Sequence, residues 1–414
     1  MRLQALAVLC LLVETLAFVP ASRSAQGCAS SRRIASRSRP PAHAIASTSV
    51  QDPLGSSTDD SASSRSTGSS STSARSKSKV ATTSVRSKAD TLASGWSDSV
   101  VSAVVSSPLF PVLLKGARSR IKSQVARLGV QWDETVQERL AAVDWQQEVD
   151  RVVATRPDLR IPEYYLRKFH AYADGNLCLE AALEQDLAAI AVGLHSFPED
   201  GLQAERRLRD AYSACLHTLG ASAVPAGALL LDLGCGTGIS TVDLAAAYPH
   251  AARVVGVDLS PHMIAVGQHL LPARDARLQP QVELRYGDAA EPLLPAESAA
   301  LVSIGLVLHE LPDGARRDIF AQALRVLKPG GALCMLDMDP EGPDSRRVRS
   351  NVVAYSILKS TEPYLDQYFA AAPALRQELT ECGFAVVREA AVSPRLKAVV
   401  AIKAGTTDLR TASR

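Results

Sequence analysis

Residues 229 to 238, Leu-Leu-Leu-Asp-Leu-Gly-Cys-Gly-Thr-Gly, carry an apolar strand into a glycine loop that opens a helix. Glycines at Gly234, Gly236 and Gly238 let a ligand approach the backbone where a side chain would collide. The spacing is GxGxG. Ile239 stands where the dinucleotide fingerprint GxGxxG needs its third glycine, so a nicotinamide dinucleotide is the weaker reading. Asp232 ends the first strand. Asp258 ends the second, about twenty residues beyond Gly238, a distance at which a carboxylate accepts hydrogen bonds from ribose hydroxyls and disfavours a 2′-phosphate. Gly287-Asp288-Ala289 closes a third strand in the same manner. Each acid alone is equally a helix N-cap.

The elements that must position these residues follow from the apolar pattern. From Ala228 onward, short apolar runs alternate with amphipathic segments, the signature of a βαβ series and a parallel sheet. Strands are predicted at Leu229 to Leu233, Arg253 to Val257, Val282 to Tyr286, Leu301 to Ile304, Ala332 to Met338, Ala385 to Ala390 and Leu396 to Ile402. Helices are predicted at Ile239 to Tyr248, Pro261 to Leu271, Gly314 to Leu327, Arg346 to Leu358 and Ala372 to Cys382. The last two strands leave no room for a helix between them, which implies one antiparallel edge strand.

Ahead of this series, Asp98 to about Thr155 reads as helical, broken by Pro108 and Pro111. Within it Lys115, Arg118, Arg120, Lys122 and Arg127 meet no acid before Asp133. They form either a basic amphipathic helix resting on a membrane surface or the solvated face of a helix packed on the domain. An aromatic, polar cluster follows (Tyr164, Tyr165, Phe169, His170, Tyr172, Asn176), then helices over Leu177 to Val192 and Leu208 to Leu219.

Composition narrows the partners. The 414 residues are 46% hydrophobic and 21% charged, with a formal net charge of +2. The balance is uneven: 12 Lys and Arg face 5 Asp and Glu up to Gly95, leaving 33 against 38 in the body. A mildly acidic body argues against nucleic acid as partner, because phosphate binding needs clustered positive charge. Seven cysteines without a CxxC pair indicate neither a zinc site nor a disulfide framework, and no metal is expected. The longest apolar run, Ala5 to Val19, falls short of the roughly 20 residues that span a bilayer.

Over about Leu208 to Ile402 the chain resembles the class I S-adenosylmethionine-dependent methyltransferases. The first motif is complete in Asp232, Gly234, Gly236 and Gly238, and Asp258-Leu259-Ser260, Gly287-Asp288-Ala289 and Leu327-Lys328-Pro329-Gly330-Gly331 follow in that family's order. The resemblance implies an α/β fold with a Rossmann-like, doubly wound, mostly parallel seven-stranded sheet, here preceded by a helical extension. It also implies S-adenosyl-L-methionine as cofactor. Asp232 and the glycine backbone, including the loop residue Cys235, would hold the methionine end, Asp258 with Leu259 the ribose, and Asp288 with Ala289 the adenine. One departure is Ala299-Ala300, where the family often has an acid.

Methyl transfer is an in-line displacement at an activated carbon, so positioning dominates and a base is needed only when the acceptor must lose a proton. Three segments are candidates. Leu308-His309-Glu310-Leu311 follows the fourth strand, with His309 as base and Glu310 as its orienting partner; alternatively His309 lines the cofactor pocket and Glu310 caps a helix or pairs with Arg316 or Arg317. The stretch from Ser360 to Phe369 interleaves aromatics with acids and either covers an acceptor ring or is a packed loop. The cluster from Tyr164 to Asn176, with His170, Tyr172 and Asn176 as its polar residues, is either a lid over the pocket or satisfied packing.

Together the N-terminal cluster, the core motifs and Thr361-Glu362-Pro363-Tyr364 resemble methyltransferase-domain proteins of plastids and cyanobacteria. The start of the chain agrees: Met1 to Ala17 reads as a signal peptide, and Phe18 to about Gly95 as a basic, Ser-rich stretch like the bipartite presequence of algae with secondary plastids, Phe18 being its leading aromatic. A secreted protein with a disordered stalk is the alternative. The expected division is signal peptide 1–17, transit segment 18–95, helical extension and lid 96–205, cofactor domain 206–403 and tail 404–414. The expected function is methyl transfer to a small molecule, with aromatic or prenylated acceptors suggested; a protein acceptor, or cofactor binding without turnover, are the alternatives.

Overall fold

The structure is a computed structural model that describes residues 98–167, 170, 172 and 174–405. The segments 1–17 and 18–95, expected to be a signal peptide and a transit segment, lie outside the described residues, as do Phe169 and most of the tail.

Seven strands form one sheet in the order β3-β2-β1-β4-β5-β7-β6. They are β1 (Leu229–Leu233), β2 (Arg253–Asp258), β3 (Val282–Tyr286), β4 (Ala299–Gly305), β5 (Leu327–Met338), β6 (Phe384–Ala391) and β7 (Leu396–Lys403). The first five pair in parallel. Their runs of Val, Leu and Ala are buried on both faces, as a sheet covered by helices requires. The antiparallel edge is the β6–β7 hairpin, in which β7 is reversed and inserted between β5 and β6. Strand order reverses between β1 and β4, and the crevice at the carboxyl ends of these strands is where open α/β sheets bind ligands.

The segment preceding the sheet folds as four short helices: α1 (Asp98–Val105), α2 (Phe110–Ala126), α3 (Trp132–Leu140) and α4 (Trp145–Ala154). Pro111 does not break α2. It occupies the first turn, where its missing N–H costs nothing. Phe110, Ala117, Ile121 and Val125 of α2 are buried, while Arg118 reaches Glu180 at 2.7 Å and Lys122 reaches Asp133 at 2.5 Å. Two of the five basic residues thus pair with acids on a helix whose other face is buried, while Lys115, Arg120 and Arg127 are exposed. Among the described residues no single helix is long and apolar enough to cross a membrane.

Next come α5 (Leu179–Ser196), buried along most of its length, and α6 (Ala204–Leu219), which ends on Gly220 in the left-handed region. The sheet helices are α7 (Ile239–Ala247), α8 (Pro261–Arg274), α9 (Asp313–Val326), α10 (Pro343–Ser350), α11 (Val352–Thr361), α12 (Leu365–Ala371) and α13 (Leu375–Cys382). The single helix expected over Arg346 to Leu358 is two. Asn351 parts them, and its side chain accepts from the amides of Val353 and Ala354, both at 3.1 Å, so it caps α11 instead of continuing α10.

Candidate active site

The glycine loop joins β1 to α7. Gly234, Gly236 and Gly238 all have positive φ, at 72°, 57° and 86°. At Gly238 a Cβ would stand 2.7 Å from Leu284 Cδ2, so a side chain is excluded by space as well as by φ. Asp232 is buried, and its Oδ2 accepts from Ser240 Oγ at 2.6 Å and Thr241 Oγ1 at 2.8 Å, tying strand to helix. Burial raises its carboxyl, against the pull of those two hydroxyls. Asp258, also buried, accepts from the amide of Gly236 at 2.9 Å on Oδ2 and from that of Ser260 at 2.9 Å on Oδ1. Leu259 and Cys235 are buried beside it, the Cys235 Sγ lying 3.6 Å from the Gly236 carbonyl. Asp288 accepts from the Ala290 amide at 2.8 Å, and burial raises its carboxyl; Ala289 lies between the two. The whole cofactor set named from the sequence thus lies along the carboxyl ends of β1, β2 and β3.

The extension closes over this cradle. Tyr165 places its hydroxyl 3.3 Å from Asp258 Oδ1, Ser260 Oγ donates to the Asn176 carbonyl at 2.7 Å, and Gln185 of α5 accepts from the Thr237 amide at 2.5 Å. Gln185 carried no motif and its role was not legible in the sequence.

A second group of side chains lies beyond the ends of β4 and β5. His170, Asn176, His309, Glu310, Asp337 and Glu362 are all buried. His170 Nε2 lies 3.0 Å from Glu362 Oε1 and 3.6 Å from Glu310 Oε1. Its Nδ1 faces Asn176 Oδ1 at 3.2 Å, and the Asn176 amide donates to Glu310 Oε2 at 3.2 Å. The backbone holds His170 at φ 58°, with its amide donating to the Thr361 carbonyl at 3.1 Å. Of four described non-glycine residues at positive φ, His170 and Leu306 border this group, a cost of order 1 kcal/mol or more each.

His309 and Glu310 do meet, but not as the expected pair. The partner that orients His309 is Asp337, whose Oδ1 lies 2.6 Å from Nδ1 and whose Oδ2 accepts from the Leu308 amide at 2.8 Å. Burial opposes charge on the imidazole, but Asp337, then Glu362 and Glu310, outweigh it and raise His309 to about 9. At neutral pH this ring is a cation and a donor, not a ready base. Glu310 does not pair with Arg316 or Arg317, which both engage Glu378, at 3.1 Å each. Asp337 was missed, though an acid at the end of a strand was the signal already used for Asp232. Glu362 lies in the segment from Ser360 to Phe369, where Tyr368 packs its ring 6.2 Å from His309 and donates to the Met338 carbonyl at 2.5 Å.

Tyr172 belongs elsewhere. Its hydroxyl bonds Glu184, which also takes the Trp132 indole N–H at 3.0 Å and Arg118 at 2.9 Å. Burial, then Glu184, holds the phenol far above its ordinary value, so it ties the extension together and is no proton carrier.

Residues 230–331 match the family model described as a methyltransferase domain. A demethylmenaquinone methyltransferase of Lysinibacillus sphaericus is 34% identical over 127 residues, 30% of this chain and 51% of that protein. One from Bacillus cereus is 37% identical over 116 residues, 28% of this chain and 46% of that protein. The chain spans about half the length of these curated relatives. Among solved structures, phosphoethanolamine N-methyltransferase 2 of Haemonchus contortus in complex with S-adenosyl-L-methionine is 18% identical over 47% of this chain and 52% of that chain, with a TM-score of 0.37. The domain match and the motif order make residues 230–331 similar to methyltransferase domains, on a Rossmann-like sheet, and the cofactor of such a domain is S-adenosylmethionine. The residues present fit that ligand in their chemistry: the loop glycines add no side chains at the end of β1, with Gln185 of α5 packed against Gly236, and Asp258 stands at the end of β2 where a ribose would come.

Proposed function

We infer that this protein transfers a methyl group from S-adenosylmethionine to a small molecule, with an aromatic or prenylated compound as the acceptor class, inside a plastid. The observation that carries the small-molecule reading is the closure of the site. Tyr165, His170 and Asn176 of the extension are buried against Asp258, Ser260, Glu310 and Glu362, which leaves the chemistry enclosed instead of lying along an open groove of the kind a protein acceptor needs. The names of the curated relatives, which act on a demethylated quinone, support an aromatic ring bearing a prenyl chain. The presequence pattern of residues 1–95 supports the compartment.

Bound S-adenosylmethionine supplies the activated methyl carbon. Asp258 would hold its ribose and the glycine loop its methionine end, and the buried extension would exclude water. The experiment is incubation of the protein with methyl-labelled S-adenosylmethionine and plastid extract, followed by separation of organic-soluble, aqueous and protein fractions. Label in the organic fraction is expected; label in precipitated protein overturns the reading. A fluorescent fusion of residues 1–95 that is secreted instead of retained in the plastid overturns the compartment.

A further inference from the structure

We propose that His170, Glu310 and Glu362 bind a divalent transition-metal ion of the Mn2+ or Zn2+ type. Their ligand atoms all lie within 4.8 Å of one another and come from three separate segments: the lid, the turn after β4 and the end of α11. Metal bonds of about 2.0–2.2 Å set neighbouring donors about 3.0–3.5 Å apart. The 3.0 Å and 3.6 Å separations of His170 Nε2 from the two carboxylates are of that size.

Hydrogen bonding fixes the ring in the form a metal needs. The Asn176 amide donates to Glu310, so Asn176 Oδ1 is left facing His170 Nδ1 and accepts its proton. In the neutral ring, Nε2 then presents a lone pair toward two carboxylates, the donor set a divalent cation takes. A histidine ligand whose other nitrogen is held by an acceptor is the usual arrangement around bound metals. A second, independent feature points into the same place. His309 Nε2 is fully buried, has no hydrogen-bond partner among the described residues and lies 3.9 Å from Glu310 Oε1, placed to steady that carboxylate from outside. One imidazole nitrogen with two carboxylate oxygens suits Mn2+, Fe2+ or Zn2+, whereas Mg2+ and Ca2+ favour oxygen alone. Three protein ligands leave positions for water or for an oxygen of the acceptor.

Metal binding is measured without reference to methyl transfer, so its failure and that of the transferase reading are separate. The full chain, stripped with chelator, is titrated with Mn2+ and followed by the loss of the free-ion electron paramagnetic resonance signal, then with Co2+ followed by visible absorption. One ion per chain is expected, with a Co2+ spectrum unlike that of the hydrated ion. Glu362→Gln and Glu310→Gln should weaken Mn2+ binding by about tenfold or more, and Asn176→Ala, acting through His170, by about 10- to 100-fold. Wild-type protein that binds no ion, a Co2+ spectrum of the hydrated ion, or equal affinity in folded Glu362→Gln overturns the proposal. Nitrogen NMR showing both His170 ring nitrogens protonated in the Mn2+-free, Zn2+-saturated protein overturns it as well, because the ring would then be an imidazolium pairing the two acids.

Discussion

The glycine cradle and the histidine–carboxylate cluster share one crevice but are built in opposite ways. The cradle is contiguous: Asp232 through Gly238 lie on one strand–loop–helix turn, and Asp258 and Asp288 repeat the same solution at the next two strand ends. The cluster is assembled at long range, Asn176 reaching Glu310 across 134 residues. A local site is held by turn chemistry and survives changes elsewhere. An assembled site exists only while the lid, the turn after β4 and α11 are all docked, so its residues carry tertiary stability as well as chemistry.

The sharpest way to break this contrast is Asp337→Ala, which leaves the His309 imidazole buried without its carboxylate. We expect a loss of about 3–5 kcal/mol in denaturant unfolding; a loss below 1 kcal/mol would mean the cluster carries little of the fold. Next in size is a buried histidine outside both sites. Burial lowers His195 to about 4, against the bond from Nδ1 to the Ala191 carbonyl at 2.7 Å. Its folded value is below the unfolded one, so no penalty exists above pH about 6.5, and stability falls as the pH drops toward 4. The loss is about 2–3 kcal/mol, and His195→Gln should remove that slope from pH-dependent unfolding curves. Asp258→Ala tests the cradle: cofactor binding by calorimetry should weaken by about 1–3 kcal/mol, and unfolding should shift by a similar amount because the buried Gly236 and Ser260 amides lose their acceptor. Smallest is Tyr165→Phe, which removes the hydroxyl that joins lid to cradle and should cost about 0.5–1.5 kcal/mol in stability.

The same contrast explains what the sequence made legible. Strand ends at Leu229, Leu233, Val282 and Tyr286 coincide with the expected ones because apolar runs bounded by Asp and Gly are local signals. The cofactor residues were legible for the same reason. Asp337 escaped although it is an acid at the end of a strand, because its significance lies in a neighbour, His309, on an adjacent strand's exit. His170 was singled out as a polar lid residue, but its partners Glu310 and Glu362 are brought to it only by the docking of α11. Tyr172 stood in the same short cluster and goes to Glu184, because side chains two residues apart in an irregular segment need not share a destination. The division of α10 from α11 turned on the cap at Asn351, a residue that also fits a helix interior on apolar periodicity alone.

The backbone bond from the His170 amide to the Thr361 carbonyl joins the lid to the far end of the cofactor domain. Contacts across such sequence distances form late, after the loops between them have closed. A chain entering a compartment N-terminus first would therefore present its lid long before α11 exists to receive it, and the crevice would stay open until the last helices fold. In the folded protein the same amide is a clock for opening: its hydrogen-exchange rate reports how often this contact parts, and hence how fast a product could leave.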